Sequence, residues 1–250
     1  MKVAIFSDVH GNTIALEAVL AAIAGEGVDA CWVNGDFVAL GPDPVGAARR
    51  QSLLPIARFV RGNTDRSTLT RDLPSVAPSP DERLDPGQVR GLLVIVRSYG
   101  WTLGAISGAG LYDWLASVPL EERVELPDGT RVLLVHAAPG TDDGRGIASD
   151  MTDDELATAL AGCDADLVIV GHTHVPLERK VNGVTVHNLG SVSLPKTDDH
   201  RAMWTLLTAG ESGYMLARRY VDYDIERVKM AFETVHHPTA KGLQGMFPAS

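Results

Sequence analysis

Short apolar runs that end beside Asp, Asn or His recur along this 250-residue chain, and they constrain its fold more than any other feature. The runs "KVAIF", "ACWVN" and "IARFV" at residues 2–6, 30–34 and 56–60 predict three buried strands. A helical pattern over residues 13–25 separates the first two. Buried strands separated by helices are typical of βαβ units with a parallel sheet, so the first part predicts an α/β fold.

The second half of the chain is richer in strand patterns than the first. The turn "PDG" and the pair Asn182-Gly183 each join two strand patterns, as expected for β-hairpins. The strands predicted in this half cover residues 120–126, 131–136, 166–170, 175–181, 184–189, 203–208 and 214–221. A helix is predicted at residues 224–235, before a polar tail.

A less regular segment interrupts the strands at residues 66–117. Its first part, residues 66–88, is rich in Pro, Ser, Asp and Arg and predicts a loop. Two helical patterns follow at residues 88–99 and 103–117. We interpret this segment as a helical excursion within a single domain of residues 1–250, and its role is open.

Composition excludes several classes of protein. The formal charge of −10 argues against a nucleic-acid polymer as partner, because general nucleic-acid binders carry a basic face. The longest uncharged run, residues 98–112, is too short to cross a membrane. Cys31 and Cys163 lie in apolar surroundings without metal-binding spacing, which predicts buried reduced thiols and a cytoplasmic protein. Composition does not indicate whether the chain forms a homo-oligomer, so a homo-oligomer is possible.

Polar side chains of only three types stand at the ends of five predicted strands. In α/β sheets, ligands bind at the carboxyl ends of the strands. A single Gly-Asp or Gly-Asn pair is usually only a turn, and a single His is more often a core residue. Five such strand ends in one chain predict a shared site instead. Its candidate residues are Asp8, His10, Asp36, Asn63, His136, His172 and His174.

The side-chain types at these strand ends indicate the chemistry of the site. Imidazole combined with carboxylate and amide oxygen suits Mn, Fe, Zn or Co. Seven side chains are too many for one small ion and about right for two. Two ions held roughly 3.5–4 Å apart need a bridging ligand, which an Asp can be and a His cannot. Two carboxylates against two divalent cations leave a positive site that attracts phosphate.

The order of the motifs "SDVHGN", "NGDFVALGPDP", "RGNTD", "VHAAPG", "GHTH" and "NLGSVSLP" resembles that of the calcineurin-like metallophosphoesterases, especially their small bacterial phosphodiesterase-like branch. The resemblance runs from residue 2 to about 207 and is least specific over residues 66–117. It implies a four-layer αββα sandwich of two mixed β-sheets flanked by helices. It also implies a phosphoester hydrolase, in which a water activated by two metal ions attacks phosphorus in line.

The resemblance also assigns a role to each candidate residue. Asp8, His10 and His174 would hold one metal ion, and Asn63, His136 and His172 the other, with Asp36 as the bridge. Mn is the expected metal, with Fe, Zn, Ni and Co as alternatives. The residues expected to act in catalysis are His10, Asp36, Asn63 and His172. Those expected to contact substrate are Asn12, Asn63 and His187.

One departure from the family pattern bears on the substrate. Many members carry a His directly after the Asn of the third motif, where it helps to protonate the leaving group; here that residue is Thr64. His187, just before "NLGS", is a candidate substitute by proximity, but the sequence favours a structural histidine at the end of a strand. For Asn12, an N-cap of the helix that begins at residue 13 is as well supported as a contact with substrate. We expect small phosphodiesters such as cyclic or short nucleotides, with phosphomonoesters as the alternative and a non-catalytic scaffold as the alternative of another class.

Overall fold

The computed structural model describes residues 1–72 and 83–248. Its ten strands form two sheets of five. The strands are β1 (Lys2–Phe6), β2 (Ala30–Asn34), β3 (Ala57–Val60), β4 (Glu121–Glu125), β5 (Arg131–Val135), β6 (Leu167–Val170), β7 (Leu177–Val181), β8 (Val184–Asn188), β9 (Ala202–Gly210) and β10 (Gly213–Val221). The eight helices among the described residues are α1 (Thr13–Ala24), α2 (Pro44–Ser52), α3 (Asn63–Thr70), α4 (Pro86–Gly108), α5 (Tyr112–Ser117), α6 (Asp153–Ala159), α7 (Ile225–Thr234) and α8 (Ala240–Gln244).

Both sheets have a parallel centre and antiparallel edges. The first sheet has the order β10-β9-β1-β2-β3, in which β1, β2 and β3 are parallel and β9 runs antiparallel to β1. The second has the order β4-β5-β6-β8-β7, in which β5, β6 and β8 are parallel. Hairpins connect the antiparallel edge strands to their neighbours, and two of these hairpins are the ones that the turn sequences predict.

Three apolar layers hold the sheets and helices together. Between the sheets, Ile5 and Trp32 of the first pack with Leu134 and Ile169 of the second. The alternate residues of β1 face helix α1 on the outer side, and those of β6 face α6. This arrangement gives the layer order helix, sheet, sheet, helix, and the predicted sandwich of two mixed sheets is confirmed.

The excursion differs from its prediction in two ways. Residues 63–70 form α3, so the predicted loop does not begin at residue 66; residues 73–82 lie outside the described part. The two predicted helices, 88–99 and 103–117, are in fact the continuous α4 and the short α5. Gly100 and Gly104 do not interrupt α4, because a helical glycine destabilises by only about 1 kcal/mol and Tyr99, Thr102 and Ile106 are buried along it.

Besides α3, three helices have no counterpart in the prediction. Helix α2 has a low apolar content, yet it starts at an Asp43 cap with Pro44 in the first position. Helix α6 starts with a capping box between Thr152 and Glu155. Helix α8 lies in the predicted polar tail. The caps of α2 and α6 are sequence signals that hydrophobic periodicity alone does not detect.

Two further predictions concern the state of the cysteines and the presence of a membrane-spanning helix. Both cysteines are buried and free. Across residues 1–72 and 83–248, no helix has the length and apolar character that crossing a membrane requires.

Candidate metal centre

The candidate side chains converge where the parallel strands of both sheets end. Asp8 and His10 follow β1, and Asp36 and Asn63 follow β2 and β3. His136 follows β5, and the pair His172 and His174 follows β6. The two sheets present the same edge, so side chains from distant parts of the sequence become neighbours. The structure brings all seven predicted residues to this edge: Asp8, His10, Asp36, Asn63, His136, His172 and His174.

One group of contacts surrounds Asp8. Its Oδ1 lies 3.1 Å from His174 Nε2 and 3.8 Å from both His10 Nε2 and His136 Nε2. The Nε2 atoms of His10 and His174 are 3.1 Å apart. Ligand atoms of Asp8, His10, Asp36 and His174 all lie within 4.8 Å of one another, which is compact enough for one cation.

Asp36 lies between two sets of histidines. Its Oδ2 is 3.6 Å from His10 Nε2 and 3.4 Å from His136 Nε2. Its Oδ1 accepts a hydrogen bond from the Thr64 N–H at the start of α3, at 3.0 Å. One oxygen is therefore held by the backbone, and the other faces the histidines on both sides, as a bridging carboxylate requires.

A second pair lies beside this group. His172 Nδ1 and Asn63 Oδ1 are 3.1 Å apart. His172 Nε2 is 2.8 Å from the carbonyl oxygen of Gly144, so it is the nitrogen that carries the proton. Nδ1 then presents a lone pair toward the amide oxygen, and two acceptor atoms face each other.

Backbone carbonyls fix the orientation of the other histidines as well. The Nδ1 atoms of His10, His136 and His174 lie 3.2, 2.7 and 2.7 Å from the carbonyls of Ala39, Asn34 and Leu194. Each Nδ1 therefore donates, and each Nε2 presents its lone pair to the cluster. Metal-binding histidines in proteins are usually oriented by a second hydrogen bond of this kind.

The backbone of the cluster is strained. Five of its residues have left-handed φ angles between +49° and +66°, a region that residues other than Gly rarely adopt: Asp8, His10, Asp36, His172 and His174. Such conformations persist only where surrounding contacts hold them. Here the N–H groups of Asp8 and His10 donate to the carbonyls of Gly35 and Asp36, at 3.1 and 2.8 Å.

Two glycines allow the strand ends to approach so closely. A Cβ on Gly62 would lie 2.0 Å from Asp36 Oδ1. A Cβ on Gly171 would lie 2.2 Å from Ser7 Oγ and 2.5 Å from Asp8 Oδ2. The glycines of "RGN" and "GHTH" are therefore required by space at the centre of the site.

The electrostatics of the cluster favour added positive charge. Burial raises the pKa of Asp36, but His136 and His10 outweigh it, so the pKa lies below its ordinary value. Burial lowers the pKa of His136, but Asp36 and Asp8 outweigh it and raise the pKa to about 10. Burial lowers the pKa of His10 to about 4. The two carboxylates thus stay ionised and draw a proton onto one histidine when no other cation is near.

Unpaired atoms show that the side chains fit metal ions. Within the described residues, Asp8 Oδ1 and His136 Nε2 are buried and have no hydrogen-bond partner. In addition, the facing Nε2 atoms of His10 and His174 are both acceptors. Lone pairs that converge at such distances repel one another unless a cation lies between them, and divalent ions are the cations that His and Asp bind together.

Two residues that the sequence analysis did not single out tie the site together. Asn34 ends β2, and its Nδ2 donates to Val135 O of the second sheet, at 2.8 Å. Asp65 accepts from the N–H groups of Asp36, Phe37 and Gly62, at 2.8 to 3.0 Å. The sequence signal for Asn34 is its position: it is a polar residue that ends the apolar run "ACWVN", which predicts a buried strand.

A buried ionic network supports His172 from the other side. Arg66 of α3 donates from Nε to Asp142 Oδ1 at 2.9 Å and from Nη2 to Asp143 Oδ2 at 2.6 Å. Asp143 Oδ1 accepts the N–H of Gly144, whose carbonyl holds His172. The network thereby connects the helix that begins at Asn63 with the loop that orients His172.

Asn12 and His187 have partners outside the cluster. Asn12 Oδ1 accepts the N–H of Ala15 as the N-cap of α1, and its Nδ2 donates to Ser193 Oγ at 3.0 Å. His187 Nε2 lies 2.8 Å from Thr205 Oγ1, and its Nδ1 lies 3.0 Å from Glu178 Oε2. These are structural contacts, and the substrate roles of both residues stay predictions.

Comparison with known proteins identifies the family. A model of the calcineurin-like phosphoesterase superfamily domain matches residues 1–211. The chain belongs to this superfamily. It is 28% identical to the uncharacterized protein MJ0912 of Methanocaldococcus jannaschii, over 93% of this chain and 91% of that protein.

Two solved structures share the fold of this protein over almost its whole length. A metallophosphoesterase from Sphaerobacter thermophilus is 25% identical with a TM-score of 0.74, covering 99% of each chain. The hypothetical protein PH1004 from Pyrococcus horikoshii is 18% identical with a TM-score of 0.78, covering 100% of this chain and 98% of that one. The predicted resemblance is confirmed: the protein is a metallophosphoesterase, a hydrolase that acts on phosphoester bonds.

Proposed function

We propose that this metallophosphoesterase hydrolyses small phosphodiesters, such as cyclic or short nucleotides, with two divalent metal ions. The observation that carries the choice of substrate is Thr64. It follows Asn63 at the start of α3, it is 4% exposed, and its backbone N–H is bonded to the Asp36 carboxylate. A hydroxyl of ordinary pKa at this position cannot replace a histidine as a proton donor near neutral pH.

Asp8, His10 and His174 would hold one ion and Asn63, His136 and His172 the other, with Asp36 between them. Bound divalent ions supply an activated water and neutralise charge on the phosphoryl oxygens. Asp8 and Asp36 carry two negative charges between them, so two divalent ions leave a net positive centre. This positive charge would attract a phosphodiester even though the whole chain carries −10.

The polypeptide contributes mainly by fixing its side chains before substrate binds. The carbonyls of Ala39, Asn34 and Leu194 hold three histidines in one orientation with Nδ1 as the donor, so their Nε2 atoms face the cation without a change of ring orientation. The extra proton that the carboxylates draw onto His136 leaves when a metal ion binds. The strained backbone and close glycines leave the cluster little freedom. Preorganised charge of this kind is usually the largest part of catalysis, because it needs no rearrangement in the transition state.

We propose Mn²⁺ as the preferred ion, because imidazole, carboxylate and amide ligands together suit it better than Mg²⁺. We also propose a cytoplasmic location, supported by the buried free thiols of Cys31 and Cys163.

The experiment that tests the substrate class is a series of aryl and alkyl phosphate esters that differ in leaving-group pKa. A general acid typically contributes ~10²–10⁴-fold to a rate. Without one, the leaving oxygen carries the developing charge itself. The rate should therefore fall steeply as leaving-group pKa rises, and bis(4-nitrophenyl) phosphate should react much faster than alkyl monoesters.

The matched variants are Thr64→His and Thr70→His, which place the same side chain at a buried and at an exposed position of α3. Thr64→His should flatten the dependence on leaving-group pKa, and Thr70→His should leave it unchanged. A shallow dependence in the wild-type enzyme, together with fast alkyl monoester hydrolysis, would refute the diester assignment and favour a phosphomonoesterase.

A further inference from the structure

A cavity of about 480 Å³ lies between α4 and the turn that joins α7 to α8. Arg90 and Arg97 line it from α4, Lys241 lines it from α8, and Glu233 and His237 line it from the end of α7 and the turn. None of these residues belongs to the candidate metal centre. The cavity is therefore a separate feature of the molecule.

The charges around this cavity are unbalanced. Arg90, Arg97 and Lys241 have no ion-pair partner among the described residues. Among the residues that the structure describes, Glu233 is the one carboxylate that lines the cavity, and its Oε1 already accepts a hydrogen bond from Gln244 at 3.0 Å. Three cations against one carboxylate leave an excess of two positive charges, in a chain whose formal charge is −10.

His237 lines the cavity and has a buried ring nitrogen without a partner among the described residues. It is 5% exposed, and its Nδ1 accepts the N–H of Thr239 at 3.2 Å. The Nε2 atom therefore carries the proton of the neutral ring, and it has no hydrogen-bond partner among residues 1–72 and 83–248. Trp101 and Phe232 pack against the ring with centroids 4.5 and 5.5 Å away, so the ring is held in place.

The rest of the wall is apolar. Leu93 and Val94 lie between the two arginines on α4, and Pro238 and Ala240 face them. Arg90 and Arg97 are seven residues apart, so they share one face of the helix about 10 Å from each other. A volume of this size, lined by both apolar and cationic side chains, is within the range of small-molecule sites.

We propose that this cavity binds a small organic phosphate. A phosphate dianion matches the excess of two positive charges, whereas a single carboxylate would leave one uncompensated. Guanidinium groups bind phosphate oxygens through paired hydrogen bonds, and the Nε2–H of His237 offers a further donor. The apolar wall accommodates the organic body.

The test measures binding of phenylphosphonate, which has a phosphate-like dianion on an apolar ring and a C–P bond that hydrolysis does not break. Isothermal titration calorimetry at pH 8 uses the full chain in two forms. One is loaded with Mn²⁺, and the other is treated with chelator so that the metal centre cannot bind the anion. Benzoate, with the same ring and one carboxylate, tests the choice of phosphate.

Three exposed arginines provide matched variants. Arg90→Ala and Arg97→Ala each remove a cation of the cavity, and Arg49→Ala removes an exposed arginine of α2. We expect one phenylphosphonate per metal-free chain, binding at least about 10-fold weaker in each cavity variant and unchanged in Arg49→Ala. Benzoate should bind at least about 10-fold more weakly.

His237→Gln is the variant for the buried donor, and circular dichroism checks that it folds. It should weaken binding about 3- to 10-fold. An absence of saturable binding, or binding that neither arginine variant changes, would overturn the proposed site. Equal affinity for benzoate would overturn the phosphate class.

Discussion

The network from Arg66 to His172 gives a prediction whose size follows from the structure. Replacing Arg66 by Met keeps much of the side-chain volume and removes the guanidinium. The Arg66 side chain is 15% exposed, and those of Asp142 and Asp143 are 6% and 10% exposed. The substitution therefore removes two charge-assisted hydrogen bonds, to Asp142 and Asp143, from a largely buried place. It also removes a longer contact of 3.5 Å with the exposed Asp72, which should contribute little.

A hydrogen bond to a charged group contributes roughly 1.5–3 kcal/mol. Two such bonds give roughly 3–6 kcal/mol. Arg61 still donates to Asp142 Oδ2 at 2.8 Å in the variant, which leaves that carboxylate partly paired. We therefore take the lower end and expect Arg66→Met to lower the free energy of unfolding by about 3 kcal/mol.

The same change should reach the metal centre. Without Arg66, Asp143 no longer fixes Gly144, and the Gly144 carbonyl no longer holds His172 in one orientation. Loss of such a supporting contact typically lowers metal affinity ~10–100-fold. We expect that loss for the ion bound by Asn63 and His172, with a smaller effect on the other ion.

The matched control is Arg58→Met. Arg58 is also ion-paired, with Glu122 at 3.0 Å, but the two side chains are 45% and 31% exposed. Exposed pairs contribute roughly 0–1 kcal/mol. Urea unfolding and calorimetric titration of metal-free protein with Mn²⁺ measure both quantities. If Arg66→Met matched Arg58→Met in stability and in both metal affinities, the proposed connection would be refuted.

Three further predictions concern single groups. Burial lowers the pKa of His187 from 6.5 to about 4, so the unfolded state takes up this proton first as the pH falls. The contribution of His187 to stability should be constant well above pH 6.5 and fall by about 2 kcal/mol by pH 5, so His187→Gln should reduce the loss of stability over this range by that amount in urea unfolding. Asp36→Asn should lower the metal content of both sites, and Asn63→Ala chiefly that of one; two retained ions in the first variant with none in the second would contradict the bridge. Gly171→Ala should weaken metal binding at least tenfold, whereas Gly104→Ala, with open space around its added methyl, should stabilise by about 0.5–1 kcal/mol in thermal unfolding.

The centre of the site was predictable from sequence because its residues directly follow buried strands. Asp8, Asp36 and His136 stand beside apolar runs that the hydrophobic pattern detects, and the parallel arrangement of those runs requires their ends to meet at one edge. Local sequence therefore carried most of the geometry. The order of the layers, in contrast, was implied by the resemblance to the calcineurin-like metallophosphoesterases, and the hydrophobic pattern alone predicted only an α/β fold.

The supporting contacts were not predictable, because they join residues that are far apart in sequence. Arg66 and Asp143 are 77 residues apart, and Asn34 reaches Val135 across 101 residues. No local pattern distinguishes Arg66 and Asp143 from surface or turn residues, and the position of Asn34 at the end of an apolar run does not indicate its partner in the second sheet. Helix α4 was predicted as two helices for a related reason: packing of its buried face overrides the weak helix propensity of Gly100.

The most direct test of the account is the dependence of phosphodiester hydrolysis on bound metal. The purified chain is treated with chelator, its residual metal content is measured, and Mn²⁺ is added back in steps while bis(4-nitrophenyl) phosphate hydrolysis is followed. We predict that activity disappears with the metal and returns with Mn²⁺, reaching its maximum at two ions per chain. Full activity in the chelated, metal-free protein would contradict the account.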